Sequence, residues 1–157
     1  MRGRIPWQPP RPDRYTITEL AIEPRATALL LAERGADVVV HYRRQAEQAG
    51  EVAAAVAAAG RRALTVQADL EQPEEVAALF RAVEQSFGGL DIFVANAAAT
   101  AFRPFAELKP HHLERTYRLN VFSFVQAAQE AMRLMRGRRG RIVTVLSFPT
   151  LRYLPDY

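Results

Sequence analysis

Beyond residue 23 the apolar positions fall into two kinds of block that take turns along the chain. Residues 24–35 open with a proline, which suits the first helical position. They carry Ala26, Leu29, Leu30 and Leu31 as an apolar stripe and close on Gly35, a residue type that ends helices in the left-handed conformation. Val38, Val39 and Val40 follow as an uninterrupted apolar run of strand length, the pattern of a strand covered on both faces. The exchange then repeats. Residues 47–59 are alanine-rich and helical, closed by Gly60, and residues 63–68 read as a strand. Pro73 opens a helix that runs to Phe87 and stops at Gly88-Gly89, and residues 90–95 form a third apolar strand. Pro110 starts a long helix reaching Arg136; after the turn at 137–140, residues 142–146 make a fourth strand.

Strands alternating with helices predict an α/β fold, a Rossmann-type doubly wound parallel sheet with helices on both faces. Residues 1–23 depart from this rhythm. The stretch 5–14 holds Pro6, Pro9, Pro10 and Pro12 and the sole tryptophan, Trp7. Proline has no amide proton to give to a ladder, so an irregular segment is expected over 1–23, with a partial Rossmann domain over 24–157.

Composition narrows the classes. A chain of 157 residues, 49% hydrophobic, can bury one core, and no apolar run approaches the roughly 20 residues of a membrane span. Met1-Arg2-Gly3-Arg4 leads into prolines rather than an apolar stretch, unlike a secretory signal. The absence of cysteine excludes disulfides and thiolate metal sites and suits a cytoplasmic protein. The net charge of +4 comes from arginine, since Lys109 is the single lysine. The arginines are scattered and not interleaved with aromatics, so neither a nucleic-acid surface nor a membrane partner is expected. His111 and His112 lack a third ligand at metal spacing, so no metal is expected.

Ligands of doubly wound sheets sit at the carboxyl ends of the strands, so the residues after each strand carry the candidate chemistry. Arg43 and Arg44 follow the valine strand, where a dinucleotide's adenosine ribose would lie. No acidic residue occupies 41–44 to accept from a 2′-hydroxyl, and arginine pairs with a 2′-phosphate, which points to NADP(H). Asp69, followed by Leu70, ends the next strand; its carboxylate suits either the adenine amino group or the N-terminus of the helix at Pro73. After the third strand, Asn96 with Ala97, Ala98 and Ala99 lets a flat ring approach the backbone. Asn120, in mid-helix, suits a bound water or carbonyl, or an ordinary surface position. Ser147 can orient a carbonyl and Tyr157 can act as a general acid, although spacing alone leaves Tyr153 equally eligible.

Four segments together resemble the short-chain dehydrogenase/reductase family: Leu31-Ala32-Glu33-Arg34-Gly35-Ala36-Asp37-Val38-Val39-Val40, Gly88-Gly89-Leu90-Asp91-Ile92-Phe93-Val94-Ala95-Asn96-Ala97-Ala98, Leu119-Asn120-Val121, and Arg141-Ile142-Val143-Thr144-Val145-Leu146-Ser147. Within it, Asn96-Ala97-Ala98-Ala99-Thr100-Ala101-Phe102-Arg103-Pro104 and Leu151-Arg152-Tyr153-Leu154-Pro155-Asp156-Tyr157 are similar to the NADPH-dependent L-type enoyl-acyl-carrier-protein reductases. The resemblance implies Tyr157 as the acid tyrosine, Ser147 at the serine position and Asn120 as the helix asparagine. It implies Arg43 at the cofactor-selecting position, Asp69 and Leu70 against the adenine, and Asn96 beside the nicotinamide ribose. It further implies enoyl reduction in fatty-acid synthesis, an acyl-carrier-protein-bound or small-molecule substrate, and a homo-oligomer (dimer or tetramer) built on the helix at 110–136.

The chain also departs from that pattern. Ile22-Glu23-Pro24 stands where the family has Gly-x-Gly, and no glycine lies between Gly3 and Gly35. Glycine there lets the backbone approach a pyrophosphate, whereas Glu23 adds negative charge. The lysine that follows the tyrosine in this subgroup would fall beyond Tyr157, and Leu146 and Pro149 replace a serine and a glycine. These departures suggest a fold incomplete at both ends. They set two alternatives beside the enoyl reductase: an inactive or association-only remnant, and a 3-oxoacyl or other ketone reductase.

Overall fold

The computed structural model describes residues 14–19, 24–98 and 104–145. Strand β1 (Arg14–Glu19) leads to helix α1 (Pro24–Glu33), strand β2 (Ala36–Tyr42), helix α2 (Ala46–Ala58), strand β3 (Ala63–Gln67), helix α3 (Pro73–Phe87) and strand β4 (Ile92–Ala95). A short 3₁₀ turn (Phe105–Glu107) precedes α4 (Pro110–Tyr117), a π-helical turn (Arg118–Phe122), α5 (Ser123–Leu134) and strand β5 (Arg141–Thr144). The strands form one parallel sheet in the order β3-β2-β1-β4-β5, the half-sheet order of a doubly wound nucleotide-binding fold.

Over residues 14–19, β1 corrects the expectation of an irregular segment spanning 1–23; the remainder of that segment lies outside the described residues. β1 occupies the middle of the sheet, paired with β2 from Arg14↔Ala36 to Glu19↔His41 and with β4 from Thr16↔Ile92 to Thr18↔Val94. The proline argument ends at Pro12; the strand that follows is proline-free and centred on β-branched Thr16, Ile17 and Thr18, which favour extended backbone.

The valine run behaves as its pattern requires. Val39 joins one core with Phe80, Val83, Phe93 and Ala131, while Val38 and Val40 join another with Ala28, Ala49, Val52 and Val56. Alternate side chains of one strand thus feed the two helical layers. Phe80 and Phe93 meet edge to face, with ring centroids 5.8 Å apart. On α1 the buried positions are Ala28 and Ala32, whereas Leu30 is 49% exposed, so the apolar stripe is centred differently from the run of leucines. Gly88, at φ 71°, ends α3 in the left-handed conformation, as the Gly88-Gly89 stop implies. The helix expected over 110–136 is one helical path interrupted by the π-helical turn.

Candidate functional site

Because every strand pair is parallel, the residues following β2, β3 and β4 emerge at one edge of the sheet. Arg43, Arg44, Gln67, Asp69 and Glu75 line a polar cleft there. Gln67 donates its side-chain amide to the Arg43 carbonyl at 3.1 Å, fastening the turn after β2 to the end of β3. The Arg43 guanidinium donates to an Asp69 carboxylate oxygen at 2.8 Å and to Glu71 at 3.1 Å. Arg44 is exposed and makes no ion pair with a described residue.

Of the two roles open to Asp69, helix capping is not the one the structure gives it. Gln72 flanks the start of α3 and makes no side-chain cap bond. Asp69 instead accepts the Glu71 amide at 3.0 Å, an Asx turn, while its own amide donates to Glu75 at 2.6 Å. Each carboxylate oxygen carries two lone pairs, so Asp69 keeps acceptor capacity beyond these bonds.

A second cavity, of about 190 Å³, opens behind the strand tips between the sheet and the helical path through α5. Leu70, Ala97 and Asn120 all line it, together with Ala95 and Thr144 at the ends of β4 and β5. Asn96 lies directly after β4 and is half-buried. Asn120 falls inside the π-helical turn, a distortion often found at functional positions because it re-aims side chains and leaves backbone groups off the regular ladder. Ser123, one residue past that turn, donates its hydroxyl to the Leu119 carbonyl. His41 also lines the cavity; it is buried, and its Nε2 lies 2.8 Å from the Ala68 carbonyl. A carbonyl only accepts, so the Nε2 of His41 carries the proton. Ser147, Tyr153 and Tyr157 lie outside the described residues.

With this arrangement in place, the model of the short chain dehydrogenase family matches residues 24–156. The chain belongs to the short-chain dehydrogenase family. It is 47% identical over 133 residues to the 1-cyclohexenylcarbonyl-CoA reductase of Streptomyces collinus, covering 85% of this chain and 47% of that protein. It is 38% identical to versicolorin reductase 1 of Aspergillus parasiticus, covering 78% of this chain and 46% of that protein. The chain thus spans about half the length of the curated relatives it matches. Among solved structures it is similar to a short-chain dehydrogenase from Burkholderia cenocepacia in complex with NADP, with a TM-score of 0.83 and 33% identity over 90% of this chain and 58% of that one. It also superimposes on acetoin dehydrogenase from Enterobacter cloacae with a TM-score of 0.86 and 30% identity, covering 92% of this chain and 59% of that one.

Several residues of this candidate site had no signal in the sequence: Glu71, Glu75 and Arg115 are not among the residues singled out there. Glu71 reaches Arg43 across 28 residues and Arg115 across 44, so no local spacing could announce the cluster. The glycine-free stretch before Pro24 lies outside the described residues apart from β1, and the family match begins at Pro24 itself. Among the described residues no cluster of histidine and carboxylate side chains could hold a metal ion, and no helix is long and apolar enough to cross a membrane.

Proposed function

We propose that this protein is an NADP(H)-dependent reductase of an α,β-unsaturated acyl thioester carried on coenzyme A or an acyl carrier protein, acting in the cytoplasm. The carrying observation is the cleft flanked by Arg43 and Arg44 at the carboxyl ends of β2 and β3. Its planar, permanently charged donors fit a phosphate monoester on an adenosine ribose. Asp69 has lone pairs for an adenine amino group, Leu70 is assigned to the adenine ring, and Asn96 and Ala97 are assigned to the nicotinamide ribose. A nicotinamide nucleotide held by these residues would supply the hydride for the β-carbon of the thioester. Tyr157 is assigned as donor of the proton to the developing oxyanion, Ser147 as the hydroxyl that orients the carbonyl, and Asn120 as the holder of a water.

The substrate class is supported by the Streptomyces relative, whose name denotes an alkene conjugated to a thioester carbonyl. A ketone electrophile is the second reading, favoured by the similarity to versicolorin reductase and acetoin dehydrogenase. Calorimetric titration tests the cofactor: NADPH binds more tightly than NADH, and the double variant Arg43→Ala/Arg44→Ala loses roughly tenfold or more of the NADPH affinity, the worth of charge-assisted hydrogen bonds. Equal affinity for the two nucleotides overturns the assignment. NADPH oxidation in the presence of crotonyl-CoA but not acetoacetyl-CoA supports the alkene; the reverse supports the ketone.

A further inference from the structure

Arg43 is not an idle cation waiting for a phosphate. Two of its nitrogens already donate to carboxylates, Asp69 at 2.8 Å and Glu71 at 3.1 Å. The Glu71 oxygen that meets Arg43 also accepts from Nε of Arg115 on α4, at 3.2 Å. The Glu71 side chain is only 16% exposed, so water screens its charge less than it would an open surface acid. Arg43 and Arg115 thus pair with Asp69 and Glu71, and with Arg44 and Glu75, which also line the cleft, the six formal charges sum to zero.

Building on the reading of Arg43 and Arg44 as a 2′-phosphate grip, we propose that Glu71 is a specificity-determining residue for the nucleotide and that Arg115 moderates it. The physical reason is competition. An arriving phosphate dianion must share the Arg43 guanidinium with a carboxylate a few ångströms away, and like charges at that separation repel. Glu71 therefore lowers the preference for a 2′-phosphorylated nucleotide below what two adjacent arginines would give. Arg115 draws part of the Glu71 charge toward α4 and restores some of that preference. Glu71 touches neither the hydride nor the reacting carbon; it acts through Arg43. Asp69 also pairs with Arg43, but it is assigned to the adenine, so changing it would mix two effects.

The two neighbours of Glu71 predict opposite signs. Isothermal titration of the chain with adenosine 2′,5′-bisphosphate and with 5′-AMP reads the worth of the 2′-phosphate directly as a ratio of affinities. Glu71→Gln, which keeps shape and removes charge, widens that ratio by roughly fivefold, and Arg115→Met narrows it by a similar factor, as removal of one unit charge from a partly screened cluster implies. Both effects shrink as salt is raised. A side chain that merely supported the fold would shift both affinities together and leave the ratio where it was. If the parent chain discriminates between the two nucleotides but neither substitution moves the ratio, or both move it the same way, the role of Glu71 is refuted and the grip of Arg43 and Arg44 stands. If the parent chain does not discriminate at all, the 2′-phosphate reading itself fails, and the role of Glu71 with it.

Discussion

At the scale of single residues, Asp37 shows how a charge is kept inside a strand covered on both faces. Its carboxylate is buried at the start of β2 and accepts the Arg62 amide at 3.0 Å and Arg62 Nε at 2.8 Å, with a nitrogen of Arg61 at 2.7 Å. Burial alone would raise its pKa, but the hydrogen bonds from Arg62 and the charges of Arg61 and Arg62 outweigh it and hold the carboxyl below its ordinary value. A carboxyl depressed in the folded state adds stability that is complete above its unfolded pKa, near 3.9, and is lost as pH falls through the folded value. Asp37→Asn should therefore cost about 1–2 kcal/mol in urea unfolding at pH 7, since it removes the charge of a buried carboxylate and leaves two partly exposed arginines facing it. The gap between variant and parent should begin to narrow below about pH 4 and keep narrowing as pH falls further; a gap of the same size at pH 3 and pH 7 would sink the account. The sequence offers Asp37 only as one member of a family-like segment. Its partners are set by the parallel register that pairs Val38 with Ala63, which brings residue 37 beside 62.

At the scale of elements, what the sequence makes legible depends on whether local pattern or tertiary contact decides the outcome. The valine strand, the proline-opened helices and the glycine stops are local, and β2, α3 and the Gly88 cap follow them closely. β1 was hidden because its support comes from two neighbouring strands rather than from its own short sequence. On α1 the leucines dominate by size, yet the fully buried positions on the face that meets the sheet and α2 are Ala28 and Ala32, with Leu29 only partly buried beside them. This inverts the usual expectation for substitution. Leu30→Ala, at a half-exposed position, should change stability by less than about 0.5 kcal/mol. Ala28→Leu, which adds volume to a fully buried position, should cost roughly 1–3 kcal/mol. Denaturant melts of the two variants decide it: a Leu30 cost that equals or exceeds the Ala28 cost would mean that α1 presents its leucine face to the sheet.

At the scale of the whole molecule, the candidate site is an assembly of strand tips, each legible alone and meaningful only together. Arg43, Asp69 and Asn120 were marked by their positions after strands or in mid-helix, while the ion pairs that tune Arg43 arise from residues brought together by the sheet order and the placement of α4. The same helical path carries a second feature of this scale. Leu113, Tyr117, Val121 and Val125 recur at intervals of one helical turn along α4, the π-helical turn and α5, and all are 40% or more exposed, with Phe122 beside them at 65%. A column of large apolar side chains of this length is uncommon on the surface of a monomer and is the kind of face through which chains associate. A homo-oligomer built on this helix, as the resemblance implies, would cover it with a second copy of the chain. Two-fold symmetry makes such an interface self-complementary, so one substitution is felt twice. Val125→Glu would then set two carboxylates into an apolar seam, and light scattering after gel filtration should give half the parent mass. A competing apolar patch lies on and just after β5, where Ile142, Val143 and Val145 are also exposed. If the edge of the sheet were the true contact, Ile142→Glu would halve the mass and Val125→Glu would not, and a parent chain that runs as a monomer would remove both.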